Sequence, residues 1–352
     1  MYVLHRMYVL HLTRICLHES TPLYVYRGAV IPTLTALWVA GMSMPASAEG
    51  LLTFKTENNN YSAGDDGHYT NGVEVSWAFI PSDQHWVRGL AEAIPGWSAA
   101  GLDGAAYRFT HQIYTPNDIE VVRLVEDDRP YAGVLMGGIS LFDDERHTGW
   151  RQARSLTLDA GVVGPASGAE FLQREFHRWI GSDKPRGWDH QLENEPLLNL
   201  AYRSAWMAQR RLNGYELEFG PSAGFAVGNL YTYAATGLGA RLGANLERSF
   251  GIPSIAPSQG GHSSFLPGQG FSWYAFAAVE GRYMAHNLLL DGNTFSGSHS
   301  VDRREWVGDA LVGAALTWDQ WQLTYTYAWR TDEFKDQSQH DRFGSLALSL
   351  WF

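Results

Sequence analysis

The chain has 352 residues, with 26 Lys and Arg against 37 Asp and Glu, giving a formal net charge of −11. That acidity excludes a nucleic-acid partner, whose phosphates need a basic face. The single cysteine, Cys16, leaves no disulfide framework and no thiol nucleophile in the rest of the chain.

The first segment reads as a leader rather than as fold. Residues 28–44 are mostly apolar, Arg14 and Arg27 lie upstream, and Ala46-Ser47-Ala48 has the small-x-small pattern of secretory cleavage. Pro32 interrupts the run, which is too short for a spanning helix. Met-Tyr-Val-Leu-His occurs twice, at 1–5 and 7–11, which makes the basic part of the leader unusually long. The expected division is a secretory signal over 1–48 and one domain over 49–352. No later stretch is long and apolar enough to be a transmembrane helix.

From there the sequence alternates. Val73, Val75, Trp77 and Phe79 share one face against Glu74, Ser76 and Ala78. Tyr107, Phe109 and Ile113 oppose Arg108, Thr110 and Gln112, and Trp321 to Trp329 repeats the pattern. Leu346, Leu348, Leu350 and Phe352 close the chain on one face. Period two with an apolar outside and a polar inside marks a membrane β-barrel, although a soluble sandwich shares the alternation. Twelve strands are expected, near 50–58, 70–80, 104–115, 131–142, 152–163, 197–210, 213–225, 233–247, 270–286, 304–318, 320–330 and 342–352. The fold class is therefore all-β: a twelve-stranded antiparallel transmembrane β-barrel. Length alone suggests two domains, but barrels of this size are commonly one.

Counting from a periplasmic N-terminus puts loops 59–69, 116–129, 164–196, 226–232, 287–303 and 331–341 outside. Two internal segments, 81–103 and 248–269, are longer than such turns usually are. The third outer loop carries the one helical stretch, 168–183. Phe171, Leu172, Phe176, Trp179 and Ile180 make an apolar stripe, while Gln173 and His177 lie four apart on a more polar face. Gly181 is the expected stop.

Several polar groups fall at the same outer rim. His177 is the strongest candidate for chemistry, because imidazole titrates near neutrality and acts as a general base. Gln173 and Asp183 lie close enough along the chain to orient the ring. Thr70 has the parity of Glu74 and Ser76, which points it into the lumen. Asn58 and Asn59 cannot both point inward on a regular strand, and Asn59 has the inward parity. With Glu57, Asp65 or Asp66 nearby, their carbonyls are candidate oxygen ligands for a hard cation such as calcium. Arg129 is a candidate for an anionic head group, or for a simple ion pair with Asp128. Each of these also has a plainer reading: a loop histidine, a strand-end hydroxyl and an Asn-rich turn are more often structural.

The residues also resemble a known family. Thr56-Glu57-Asn58-Asn59, Tyr69-Thr70-Asn71-Gly72, Asp128-Arg129-Pro130-Tyr131-Ala132-Gly133, Gly161-Val162-Val163-Gly164-Pro165, Gln173, His177-Arg178-Trp179-Ile180-Gly181 and Trp188-Asp189-His190-Gln191-Leu192-Glu193-Asn194 are similar in order and spacing to the outer-membrane lipid A 3′-O-deacylases. The resemblance implies a twelve-stranded barrel that hydrolyses the ester of the 3′-linked acyloxyacyl chain of lipid A, with its site at the outer leaflet and a calcium ion as cofactor. It implies His177 as catalytic base, Asp183 in the place of an essential acid, and Thr70 as an essential hydroxyl. Asn58 and Asn59 stand where members commonly have Asn-Asp, so the second position is neutral here. Arg123 is a loose counterpart of a lysine found in some members. The partners expected are lipopolysaccharide and the outer membrane, with the protein a monomer. The rival readings are a catalytically silent barrel, porin-like or structural, and an outer-membrane phospholipase.

Overall fold

Alternation lets each strand show an apolar edge to lipid and a polar edge to the lumen, and the computed structural model closes these strands on themselves. It describes residues 49–62, 68–94, 97–253, 265–266 and 268–352. The expected leader lies outside the described residues. The strands are β1 (Leu51–Asn58), β2 (His68–Phe79), β3 (Gly104–Thr115), β4 (Ala132–His147), β5 (Trp150–Val163) and β6 (Glu195–Leu212). They continue as β7 (Tyr215–Gly228), β8 (Tyr231–Ala244), β9 (Phe271–Asn287), β10 (Trp306–Trp318), β11 (Trp321–Arg330) and β12 (Asp341–Trp351). Every strand pairs antiparallel with its sequence neighbour, and β1 closes the ring on β12 from Leu51↔Trp351 to Asn58↔Gly344. The twelve expected strands are all present. The largest change is in β4 and β5, which run on to a tight turn at 148–149.

The outer wall is apolar where a bilayer core would touch it. Leu158, Leu200, Leu238, Val279, Val312, Leu346 and Leu348 are all exposed. Trp150, Tyr215, Phe271, Trp318 and Trp321 ring the end that carries the start of β1, the C-terminus and the tight turns, here the periplasmic end. Exposed apolar side chains banded by aromatics are the surface of a membrane barrel.

The lumen is filled. Lys55, Glu57, Glu74, Arg108 and Asp159 form one buried ion network with contacts of 3.2–3.8 Å. Arg203, Glu280, Arg282, Asp309, Arg330, Glu333 and Arg129 form a second. Isolated charges could not be held in such an interior, so opposite signs alternate along these chains. Apolar clusters cap both ends. At the outer end Tyr69, Tyr114, Tyr231, Met284 and Leu288 pack together, Leu288 coming from a one-turn helix in the loop after β9. At the periplasmic end Leu246 packs on Tyr274, Phe276 and Leu311.

The two long internal segments thus have work to do. The first carries α1 (Trp86–Ala93), whose Val87 and Ala91 pack on Leu102, Ala105, Leu141 and Leu156 at the wall. The described start of the second lies beside the barrel's ion networks, where Arg241 donates to the carbonyls of Leu246 and Ser249, and Arg151 to that of Ser249.

Candidate functional site

The helix α2 (Ala169–Ile180) lies against the outside of the wall. Strand β3 shows why. Arg108, Thr110 and Tyr114 enter the lumen contacts, so Ile113 and His111 stand on the opposite, lipid-facing parity. Ile113 packs with Ala169 of the helix and with Ile119, Tyr131 and Trp188 of the flanking loops. His111 Nε2 hydrogen-bonds to the carbonyl of Ser167, just before the helix, at 3.2 Å. Gly133 of β4 makes the contact close: a Cβ there would stand 2.1 Å from Ser167 Oγ and 2.2 Å from Ala169 Cβ.

The helix is turned opposite to what its apolar stripe suggests. Its buried residues are Ala169, Gln173 and His177, one stripe at spacing four, while Phe171 and Trp179 are 65 % and 56 % exposed. Burying a polar stripe against a wall and leaving aromatics outward makes sense only where the outer surroundings are hydrocarbon. Gly181 ends the helix with φ +73°, in the left-handed conformation expected of a C-terminal glycine.

His177 is held in one tautomer. Its Nδ1 lies 2.6 Å from the carbonyl oxygen of Asp183, and a carbonyl only accepts, so Nδ1 carries the proton and donates. The Nε2 lone pair is left for chemistry. Of the two ways Asp183 is expected to help, it orients the ring, through its backbone carbonyl, and the residue itself is exposed. Gln173 accepts a 2.8 Å hydrogen bond from the indole of fully buried Trp188, whose ring packs 4.9 Å from Tyr131. Tyr131 in turn donates to the carbonyl of Ile119. Gln173 thus ties α2 to the second outer loop, and its Nε2 group is buried without a partner of its own.

Thr70 is the second correction. A bulge between Tyr69 and Asn71 breaks the register of β2 and β3, so the parity counted from Glu74 does not carry through it. Tyr69 turns into the lumen and donates to Glu57, while Thr70 Oγ1 meets Thr115 Oγ1 at 2.8 Å. Thr115 has the outward parity of His111 and Ile113, so Thr70 is on the wall side that α2 covers. Asn58 joins it there, donating through Nδ2 to the Thr70 carbonyl at 2.8 Å.

Three other candidates are elsewhere. Arg129 is 1 % exposed, sits 4.7 Å over the Tyr114 ring and pairs with Glu333, so it can meet no head group and does not pair with Asp128. Asp128 instead faces His68 Nε2 at 3.4 Å and accepts from the backbone N–H of Asn117. Burial pushes the Asp128 carboxyl up, but the facing His68 ring and the N–H groups of Asn117 and Arg129 outweigh it and hold the group below its usual range. Glu57 is committed to Tyr69 and Lys55 on the lumen side. Asn59 starts a 3-10 turn and is buried, and its Oδ1 and that of Asn58 both accept from the N–H of Asn60.

Asn58 Oδ1 and Asn59 Oδ1 each accept from one N–H and keep a second lone pair for a hard cation, while Glu57 is engaged on the lumen side. No group of three or more His, Cys, Asp or Glu among the described residues could hold a metal ion. Asp65 and Asp66 lie outside the described residues.

His68, Thr115 and Trp188 are participants that spacing did not reveal. His68 clasps Asp128 and Asp341, from a loop and a strand far away in sequence. Trp188 at least falls inside the Trp-Asp-His-Gln-Leu-Glu-Asn stretch that carries the family likeness.

A closed barrel with charged side chains buried in its lumen and an apolar belt on its outer wall defines an outer-membrane β-barrel. Residues 30–352 match the model of the family described as outer membrane protein LpxR, so the chain belongs to that family, the one its sequence resembles. LpxR from Salmonella typhimurium has the same fold, with 21 % identity, 86 % of this chain and 100 % of that chain covered, and a TM-score of 0.73. The β-domain of the Bordetella autotransporter BrkA, at 11 % identity, 87 % and 100 % coverage and a TM-score of 0.45, is a more remote barrel. A comparison with curated proteins finds no match.

Proposed function

We propose that this protein hydrolyses the ester of the 3′-linked acyloxyacyl chain of lipid A in the outer leaflet, with His177 as general base. The observation that carries the reading is the placement of His177: on the lipid side of the wall, buried, with Nδ1 tied to Asp183 and Nε2 free. Nε2 takes a proton from water as the water oxygen attacks the ester carbonyl. The tetrahedral intermediate then expels the sugar 3′-oxygen, which receives the proton from Nε2, leaving a free fatty acid and a 3′-hydroxyl.

The developing oxyanion needs donors in a water-poor site. The Thr70–Thr115 hydroxyl pair supplies one: one hydroxyl donates to the other, whose proton is free. Asn58 holds the backbone of Thr70 in place. Gln173 acts as a positioning residue, fixing the helix through Trp188. No step is assigned to calcium. A monomer suffices for this chemistry, because a closed barrel has no edge strand awaiting a partner.

Purified protein in detergent micelles, given lipid A and phosphatidylethanolamine together, provides the test. The expected result is release of 3′ chains by the intact protein, none by His177→Ala, and phospholipid left whole. Equal activity in His177→Ala would remove the histidine from the mechanism. Cleavage of the phospholipid instead would make the protein a phospholipase, and intact lipids in every arm would make it a silent barrel.

A further inference from the structure

A groove of about 700 Å3 runs across the opposite wall, over β8 to β12 near their outer ends. In the strand order these lie half a turn of the barrel from the β3–β4 wall beneath α2. Its floor is Gly281 facing Gly308, with Thr236 beside them. Along its next row stand Leu238, Val279 and Trp329, all exposed, and Arg342, opposite Trp329 and second residue of β12, ends that row on the β12 side.

The glycines in the floor have no structural excuse. A Cβ at Gly281 would meet nothing within 4 Å, and at Gly308 the nearest atom is a Thr331 methyl at 3.5 Å. Neither residue has the positive φ that calls for glycine. Glycine inside a strand weakens it, and often marks a place where something else approaches closely. A wall otherwise covered in Leu, Val and aromatics thus leaves an apolar trough about the size of a ligand site.

Charge identifies the occupant. Arg342 is exposed and has no ion pair among the described residues, in a chain of net charge −11. Beside it, Thr331 Oγ1 accepts from the N–H of Gly308, which leaves the hydroxyl proton to donate. A guanidinium and a hydroxyl lining an apolar trough at the outer ends of β11 and β12 suit a phosphate attached to an acyl chain.

We propose that this groove is a second, non-catalytic lipid site that holds one acyl chain of an outer-leaflet lipid A with its phosphate on Arg342. It needs no part of the hydrolytic reading and stands or falls apart from it.

Native mass spectrometry of the refolded full chain tests it, with His177→Ala as the common background so that bound lipid stays whole. Against bis-phosphorylated lipid A, Gly281→Phe and Arg342→Glu should each lower retention at one site by about tenfold, the scale of a charge-assisted contact. Dephosphorylated lipid A and phosphatidylglycerol should be retained about as weakly on the parent as lipid A is on the variants. If Gly281→Phe fails to fold, Arg342→Glu, an exposed change, carries the test. Retention unchanged in the variants overturns the proposal. Phosphatidylglycerol held as firmly as lipid A, in an Arg342-dependent way, also overturns it, because the occupant would be a different lipid.

Discussion

Single residues decide which charges face lipid and which are sealed in. Arg129 looks like an anion-binding rim residue in the sequence, but its guanidinium is buried against Tyr114 and Glu333. Removing one partner of a buried pair strands the other charge. Arg129→Met should therefore cost about 3 kcal/mol, the lower end for such pairs because Arg330 still faces Glu333. Urea unfolding of the refolded barrel measures it, and a loss within 0.5 kcal/mol, about that of an ordinary surface change, would refute the burial argument. Asp128 gives a pH prediction with a definite sign. Its folded value lies below the ordinary carboxylate range, so its contribution is complete above about pH 4 and is lost as the pH falls through the folded value. The groups facing it are His68, the Asn117 N–H and the Arg129 N–H. Hydrogen-exchange protection of residues 116–131 should hold from pH 7 to about pH 5 and fall below about pH 4. In Asp128→Asn that dependence should vanish.

At the scale of elements, the strands were legible and the site was only half so. Period-two alternation placed twelve strands because a membrane barrel imposes that pattern on both faces. The helix and its Gly181 stop were legible for the same kind of reason, a spacing with one geometric meaning. Two things were not. One inserted residue at the Tyr69/Asn71 bulge reverses parity, and no residue type there announces it, so Thr70 read as luminal. An apolar stripe on a helix ordinarily faces protein, whereas α2 turns Phe171 and Trp179 outward because its solvent is lipid. Gly133 shows how tightly α2 is placed. Gly133→Ala forces a Cβ onto Ala169, which yields only if the helix moves. A displacement near 1 Å at a reacting group costs roughly 100-fold in rate. Turnover should fall by about that factor while the unfolding midpoint of the barrel stays put, and wild-type turnover would show that the helix does not hold the base.

Taken whole, the molecule uses its barrel as a wall. Apolar clusters cap both ends of the lumen, and two alternating ion networks fill the space between. A porin needs a wet, continuous interior. Reconstituted in a planar bilayer, the protein should give no stable conductance steps, and steady porin-like openings would contradict the packing described above. The proposed chemistry is therefore assigned to the outer face, where a membrane lipid would meet His177 without leaving the leaflet. The most direct measurement of that claim is mass spectrometry of lipid A from a host that lacks such an enzyme, expressing the intact protein or His177→Ala at equal levels in the outer membrane. Lipid A without its 3′ chains is expected in the first case and unchanged lipid A in the second. Lipid A that keeps its 3′ chains with the intact protein, or loses them with the variant, would contradict it.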